Sequence, residues 1–223
     1  MALRGFSQDG FEIVEKVFSP EEVRRWIEIS EVDKAKPGTR AILDSDWGRE
    51  IAADPRLNIL ARDALGMPVW AVRAIWFEKT PETNWALGWH QDTKIAVKSR
   101  RETPGFSNWS IKEGIHHVLP SPEVLSNMVA ARISLDKINE ENGALRMLPG
   151  SHKMGKLSAG EMAGMLECST TCAPESEPGD VILMHPLTLH SSSRSQVDRP
   201  RRVLHIEFAG VELPYGLEWR WRI

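Results

Sequence analysis

The tightest constraint on this chain's fold is a pair of short segments about a hundred residues apart: His90-Gln91-Asp92, and His190 followed by Arg201-Arg202. Two imidazoles and one carboxylate are the ligand set of a facial triad, which holds Fe(II) on one side and leaves the remaining coordination positions open for oxygen chemistry. In extended backbone alternate side chains share a face, so His90 and Asp92 can enter one cavity while Gln91 points away. His190 ends a strand-like run after Gly179-Asp180 and can approach from a neighbouring strand. The same donors would accept Zn, Ni or Co, and an isolated H-x-D is equally consistent with a half-buried histidine bonded to its neighbouring aspartate. A basic residue eleven positions after His190 is well placed to grip the far carboxylate of a dicarboxylate co-substrate.

The surrounding sequence supplies helices first and strands after. Ser19-Pro20-Glu21-Glu22 is a capped start with Pro in the first turn and an S-x-x-E box, followed by Val23, Trp26 and Ile27 at helical spacing to about Ser30. Asp54-Pro55 opens a second helix with Leu57, Leu60, Ala61 and Leu65 on one stripe, ended by Gly66. Strand-like runs then dominate: Val69–Phe77, Val129–Leu135, Ala144–Met147, Val181–Met184 and Val203–Phe208, separated by Glu141-Asn142-Gly143, Leu148-Pro149-Gly150 and Pro178-Gly179-Asp180 turns. This predicts a single domain over 1–223, α+β but mainly β, built as a sandwich or barrel. Residues 93–127 lack clear periodicity and begin directly after Asp92, so they read as a lid or substrate-binding loop.

Composition excludes several classes. Hydrophobic residues make up 41% and charged residues 26% of 223 positions, with a net charge of −3, which leaves no footprint for nucleic acid or anionic membrane. No run approaches the roughly 18 apolar residues of a membrane span. The opening Met1-Ala2-Leu3-Arg4-Gly5-Phe6 lacks the apolar core of a leader. Cys168 and Cys172 read as free thiols, and the expected location is cytoplasmic.

Trp89-His90-Gln91-Asp92, Asp136 through Glu141-Asn142-Gly143-Ala144-Leu145-Arg146, Leu148-Pro149-Gly150-Ser151-His152, Pro178-Gly179-Asp180-Val181 and His190-Ser191-Ser192 to Arg201 resemble the phytanoyl-CoA dioxygenase family. Phe6-Ser7-Gln8-Asp9-Gly10-Phe11 and the helix from Ser19 are similar to its N-terminal segment. The resemblance implies a double-stranded β-helix (jelly-roll, cupin-like) with the N-terminal helices packed on one sheet. It also implies Fe(II) and 2-oxoglutarate, with O2 and a small-molecule substrate that is hydroxylated as succinate and CO2 are released. His90, Asp92 and His190 would then be the iron ligands, while Arg201 and Ser192 would take the 5-carboxylate of 2-oxoglutarate. Related halogenases replace the carboxylate ligand with a small residue; Asp92 is retained, which favours hydroxylation, with desaturation or ring closure as variants.

Local periodicity leaves the arginine open. Leu204, Ile206 and Phe208 share a face with Arg202, while Arg201 shares the other with Val203, His205 and Glu207. If the apolar face pointed into the barrel, Arg202 would be the inward one; the family spacing favours Arg201. Lys79 is a further candidate for the 2-oxoglutarate site. Trp89 and Trp109, with Trp85, are candidates for an aromatic substrate wall, and His117 and His116 for pocket lining. Arg132, set among Val129, Ala130, Ala131, Ile133 and Leu135, needs an anionic partner if it faces inward: Asp136, another carboxylate or a substrate acid. The competing function is a non-catalytic metal-binding jelly roll acting as a sensor or interaction protein, which need not keep Arg201 alongside the triad.

Overall fold

The computed structural model describes residues 3–30 and 38–223; Met1-Ala2, the first residues of the opening, lie outside the described residues. The expected helix starts are in place. Helix α2 (Pro20–Ile29) follows α1 (Arg4–Asp9) and opens on a reciprocal cap, with Ser19 Oγ accepting from Glu22 N at 3.2 Å and Glu22 Oε2 accepting from Ser19 N at 2.8 Å. Helix α3 (Asp46–Ala52) precedes α4 (Pro55–Leu65), which is capped by Asp54 and stopped by Gly66 in the left-handed region.

Two antiparallel sheets carry the site. The larger has the order β1 (Phe11–Val14), β10 (Val181–Met184), β8 (Met128–Ser134), β12 (Arg201–Ala209), β3 (Trp70–Lys79) and β2 (Gly38–Thr39). The smaller has the order β4 (Leu87–His90), β11 (His190–Ser192) and β9 (Leu145–Met147). Residues from both sheets line one cavity, so the sheets face each other as the two halves of a jelly roll.

The outer face of the larger sheet explains the open question about the arginines. Leu204, Ile206 and Phe208 of β12 do not point into the barrel; they pack with Val23, Ile51, Ala52, Leu57 and Ala61 of the helices. Each such side chain, fully removed from water, contributes about 1.5–3 kcal/mol. The alternate set on β12, Arg201, His205 and Glu207, therefore faces the barrel interior. Arg202 is on the helix side and makes a bidentate pair with Asp136, Nε to Oδ2 at 2.9 Å and Nη2 to Oδ1 at 2.7 Å.

Residues 93–127 are not an aperiodic loop, and that expectation is corrected. They form a third sheet, β5 (Ile95–Val97), β7 (Ile115–Leu119) and β6 (Ser107–Lys112), followed by α5 (Pro122–Ser126). Ile95, Val97 and Val118 are buried against Val72, Met128, Leu217 and Trp219 in a second apolar cluster. The strands escape notice because they are three to six residues long and β6 is mostly exposed. The remaining helix, α6 (Ala159–Glu167), has no buried residue, Cys168 and Cys172 are free, and no described helix is long and apolar enough to cross a membrane.

Candidate metal centre and its cationic floor

Antiparallel pairing of β4 with β11 sets His90 directly opposite His190, with ring centroids 4.2 Å apart. A bulge between His190 and Ser192 lets Leu87 and His90 both reach the cavity. His190 opens β11 rather than ending a strand: β10 stops at Met184, and a turn through Pro186 delivers the histidine. Asp92 lies just beyond the end of β4, anchored by its backbone N–H donating to Pro186 O at 2.8 Å. Gln91 points away and ties the segment down, donating to Gly155 O at 2.9 Å and Leu187 O at 2.8 Å while accepting from Leu157 N at 2.8 Å.

Both imidazoles are held in one tautomer. His90 Nδ1–H donates to Gly88 O and His190 Nδ1–H to Thr188 O, each at 2.8 Å, which leaves both Nε2 lone pairs free. Those atoms lie 3.8 Å and 3.7 Å from the two oxygens of Asp92. One ligand atom from each of the three residues falls within 4.8 Å of the others, and a first-row ion with bonds of about 2.0–2.2 Å fits among them. Burial opposes charge on Asp92, but His190, His205, His90 and Arg73 outweigh it and hold the carboxyl well below its usual range. Burial pushes His190 down to about 4, against the pull of Asp92, so it stays neutral and able to ligate.

The cavity continues from the triad to a floor of cations. Arg201, 3% exposed, donates through Nη2 to Gly143 O at 3.0 Å and to Ser192 Oγ at 3.3 Å, and its Nε has no partner. Lys79, fully buried and paired with Arg201 in the β3–β12 register, donates to Ser192 Oγ at 2.7 Å and to Ser193 O. Burial pushes Arg201 down to about 9 and Lys79 down to about 7, with the neighbouring cations adding to each. No carboxylate pairs with either among the described residues, so both are poised for an external anion. Gly143 is required here: its φ is +82° and a Cβ would sit 2.6 Å from Ser193 O and 2.9 Å from Lys79 Nζ.

Arg132 lines the same cavity, with Ile75, Phe77, Trp85 and Leu145 supplying apolar wall. Three of the expected substrate residues are elsewhere. Trp89 and Trp109 do not line the cavity, and Trp109 packs against the second apolar cluster. His117 is buried within the third sheet, with Nδ1 on Ile115 O at 3.0 Å, and burial pushes it down to about 4. Sequence reasoning missed a buried chain behind the triad: Arg132 Nη1 donates to His205 Nδ1 at 2.9 Å, His205 Nε2 faces Glu207 Oε1 at 3.3 Å, and Glu207 pairs with Arg73. The polar alternation Arg201, His205, Glu207 was its visible trace.

A jelly roll with two histidines and a carboxylate converging beside buried cations defines a class: a metal-binding jelly roll with an anion-attracting pocket. Residues 6–203 match the model for phytanoyl-CoA dioxygenase (PhyH), and the chain belongs to that family. An ectoine dioxygenase of Bordetella parapertussis is 27% identical over 181 residues, 71% of this chain and 51% of that protein, so the chain spans about half the length of this relative. Among solved structures, EctD from S. alaskensis with 2-oxoglutarate and 5-hydroxyectoine superposes with a TM-score of 0.70 at 19% identity, over 93% of this chain and 74% of that one. The non-heme alpha ketoglutarate dependent carbocyclase SnoK from nogalamycin biosynthesis gives 0.69 at 17% identity, covering 95% and 83%. These likenesses establish the jelly-roll fold.

Proposed function

We propose that residues 1–223 act as one Fe(II)- and 2-oxoglutarate-dependent oxygenase domain that hydroxylates a small organic molecule, releasing succinate and CO2. The observation that carries this reading is the shared cavity: the donor atoms of His90, Asp92 and His190 lie within 4.8 Å of one another, and Arg201 and Ser192 line its other end, with Lys79 bonded to Ser192 behind them and no ion pair to either cation among the described residues. A non-catalytic metal-binding module has no use for that second feature.

Iron, when bound, supplies the O2 activation and electron transfer that oxidative decarboxylation of a 2-oxo acid requires. The chain's own residues do the rest. His90 and His190 present Nε2 because their Nδ1–H groups are committed to backbone carbonyls, and Asp92 stays anionic. Arg201 offers a planar fork and Ser192 a hydroxyl to the far carboxylate of 2-oxoglutarate, and Lys79 adds a point charge. Ile75, Phe77, Trp85 and Leu87 exclude water around the reacting centre and give the substrate an apolar wall. Three protein ligands leave room for the co-substrate and O2, and retention of Asp92 supports hydroxylation. The partners in this reading are O2 and a small-molecule substrate, with no nucleic acid or membrane.

The test is anaerobic addition of Fe(II) and 2-oxoglutarate to the purified protein, which should give a weak visible charge-transfer band. Bound iron with no such band would point to a non-oxygenase role. A metabolite screen scored by substrate-stimulated succinate release then identifies the substrate.

A further inference from the structure

The cavity holds more positive charge than that reading uses. Four cations line it or stand beside it: Arg73, Arg132, Arg201 and Lys79. Glu207 answers Arg73 directly, and Asp92 faces the two histidines. Arg201 and Lys79 are accounted for by one carboxylate. Arg132 is left over. It is 7% exposed, and its one side-chain hydrogen bond among the described residues joins Nη1 to His205 Nδ1 at 2.9 Å. No ion pair within 4 Å involves it among the described residues, and its guanidinium carbon lies 5.8 Å from the Phe77 ring centroid. Burial pushes it down to about 10, against the opposing pull of Asp92, the one anion that acts on it through space.

Its position is distinct from that of the Arg201 clamp. Arg132 pairs with His205 across the β8–β12 ladder, whereas Arg201 pairs with Lys79 at the start of β12. The two rungs are four residues apart, roughly 13 Å of strand at about 3.3 Å per residue. Asp92 stands at the Arg132 end, since it shares a small enclosed cavity with Ala130 and Glu207. An arginine level with the metal ligands, with its donors in fork geometry, matches a carboxylate better than any neutral group.

We propose that Arg132 is a second carboxylate anchor, beside the triad and separate from the Arg201 clamp, so that the site is built to hold two carboxylates at once. This rests on the oxygenase reading above. The second carboxylate belongs either to the near end of 2-oxoglutarate or to an acid substrate. The class of substrate follows in the second case: a small carboxylic acid whose oxidised carbon lies within a few bonds of its acid group.

Calorimetry on the Zn(II)-loaded protein, which is redox-silent, distinguishes the two sources. The probes are 2-oxoglutarate, 4-oxopentanoate (which keeps the far carboxylate but lacks the near one), and acetate titrated into protein already saturated with 2-oxoglutarate. If the near end of the co-substrate is held, Arg132→Met weakens 2-oxoglutarate at least tenfold and leaves 4-oxopentanoate unchanged. If a substrate acid is held, 2-oxoglutarate is unchanged and acetate binds wild type at least tenfold more tightly than Arg132→Met. The proposal is overturned if Arg132→Met changes neither probe while Arg201→Met still weakens 2-oxoglutarate. Wild type that binds no 2-oxoglutarate, with Arg201→Met no different, would bring down the oxygenase reading and the inference together. Removing an unpaired buried charge should leave Arg132→Met melting at or above wild type. If instead the variant does not fold, Arg132→Lys keeps the charge without the fork, and the same binding comparisons apply to it.

Discussion

Arg201 and Arg202 are adjacent in sequence, and their removal should change stability in opposite directions. Arg201 is buried at 3% exposure with no ion pair among the described residues, and its guanidinium is pushed down to about 9, first by burial and then by Arg132, with Asp136 pulling the other way. At about 1.4 kcal/mol per pKa unit, carrying that charge costs the ligand-free fold roughly 5 kcal/mol at neutral pH. The folded value is depressed, so this penalty is present in full at every pH below about 9. Replacement by Met removes the charge and keeps most of the stem. It forfeits two hydrogen bonds, to Gly143 O and Ser192 Oγ, at about 1 kcal/mol each. The net is a gain of roughly 3 kcal/mol, or a Tm higher by about 6–12 °C for a chain of this size. The same variant should weaken 2-oxoglutarate by about a hundredfold or more, because the bound carboxylate loses its charge-assisted partner. Arg202→Met breaks the bidentate pair to Asp136, whose side chain is 21% exposed, and should cost about 1–3 kcal/mol with 2-oxoglutarate binding intact. Thermal melts with and without 2-oxoglutarate on the Zn(II)-loaded variants measure all of this. If Arg201→Met melted below wild type, or bound 2-oxoglutarate normally, the assignment of Arg201 as an uncompensated inward cation would be wrong.

Four further outcomes are expected. Asp92→Ala and His190→Ala should each abolish stoichiometric binding of Mn(II), read by electron paramagnetic resonance, whereas Arg202→Met should bind it normally. Lys79, pushed down to about 7 chiefly by burial, is charged below that pH, so 2-oxoglutarate affinity should be flat below about 7 and fall as pH rises; titrations of Lys79→Met should show no such slope. Gly143→Ala should destabilise the protein and weaken 2-oxoglutarate, because its Cβ would meet Ser193 O at 2.6 Å with the backbone at φ +82°; a melt and an affinity equal to wild type would contradict the close packing of the floor. Limited proteolysis should cut in the exposed stretch 98–102 and spare β5 and β7, whose Ile95, Val97 and Val118 are fully buried; cleavage spread evenly over 93–127 would restore the loop expectation.

How much of this was legible in the sequence depended on whether a signal was local. Caps and stops are local: Ser19 with Glu22, Asp54 with Pro55 and Gly66 each act within a turn, and each marks its helix end in the structure. The H-x-D was local too, but the histidine a hundred residues on was assigned through the family resemblance, because the β4–β11 pairing that places it opposite His90 is not written in local sequence. The third sheet was not, because strands of three residues carry too few alternations to separate from loop, and their burial comes from partners as distant as Trp219. The orientation of β12 shows the same limit most sharply. Both of its faces are buried, one by apolar side chains against helices and the other by cations around a cavity, so the usual rule that the apolar face looks into the barrel fails. Read alone, the strand favours Arg202 as the inward residue; helices α2, α3 and α4 reverse that choice by claiming Leu204, Ile206 and Phe208. Of the inward set, His205 and Glu207 are answered within the protein by Arg132 and Arg73, whereas Arg201 has no ion pair among the described residues. The N-terminal helices and the cationic cavity are therefore one design, in which a helical layer outside the sheet frees its inner face to be polar.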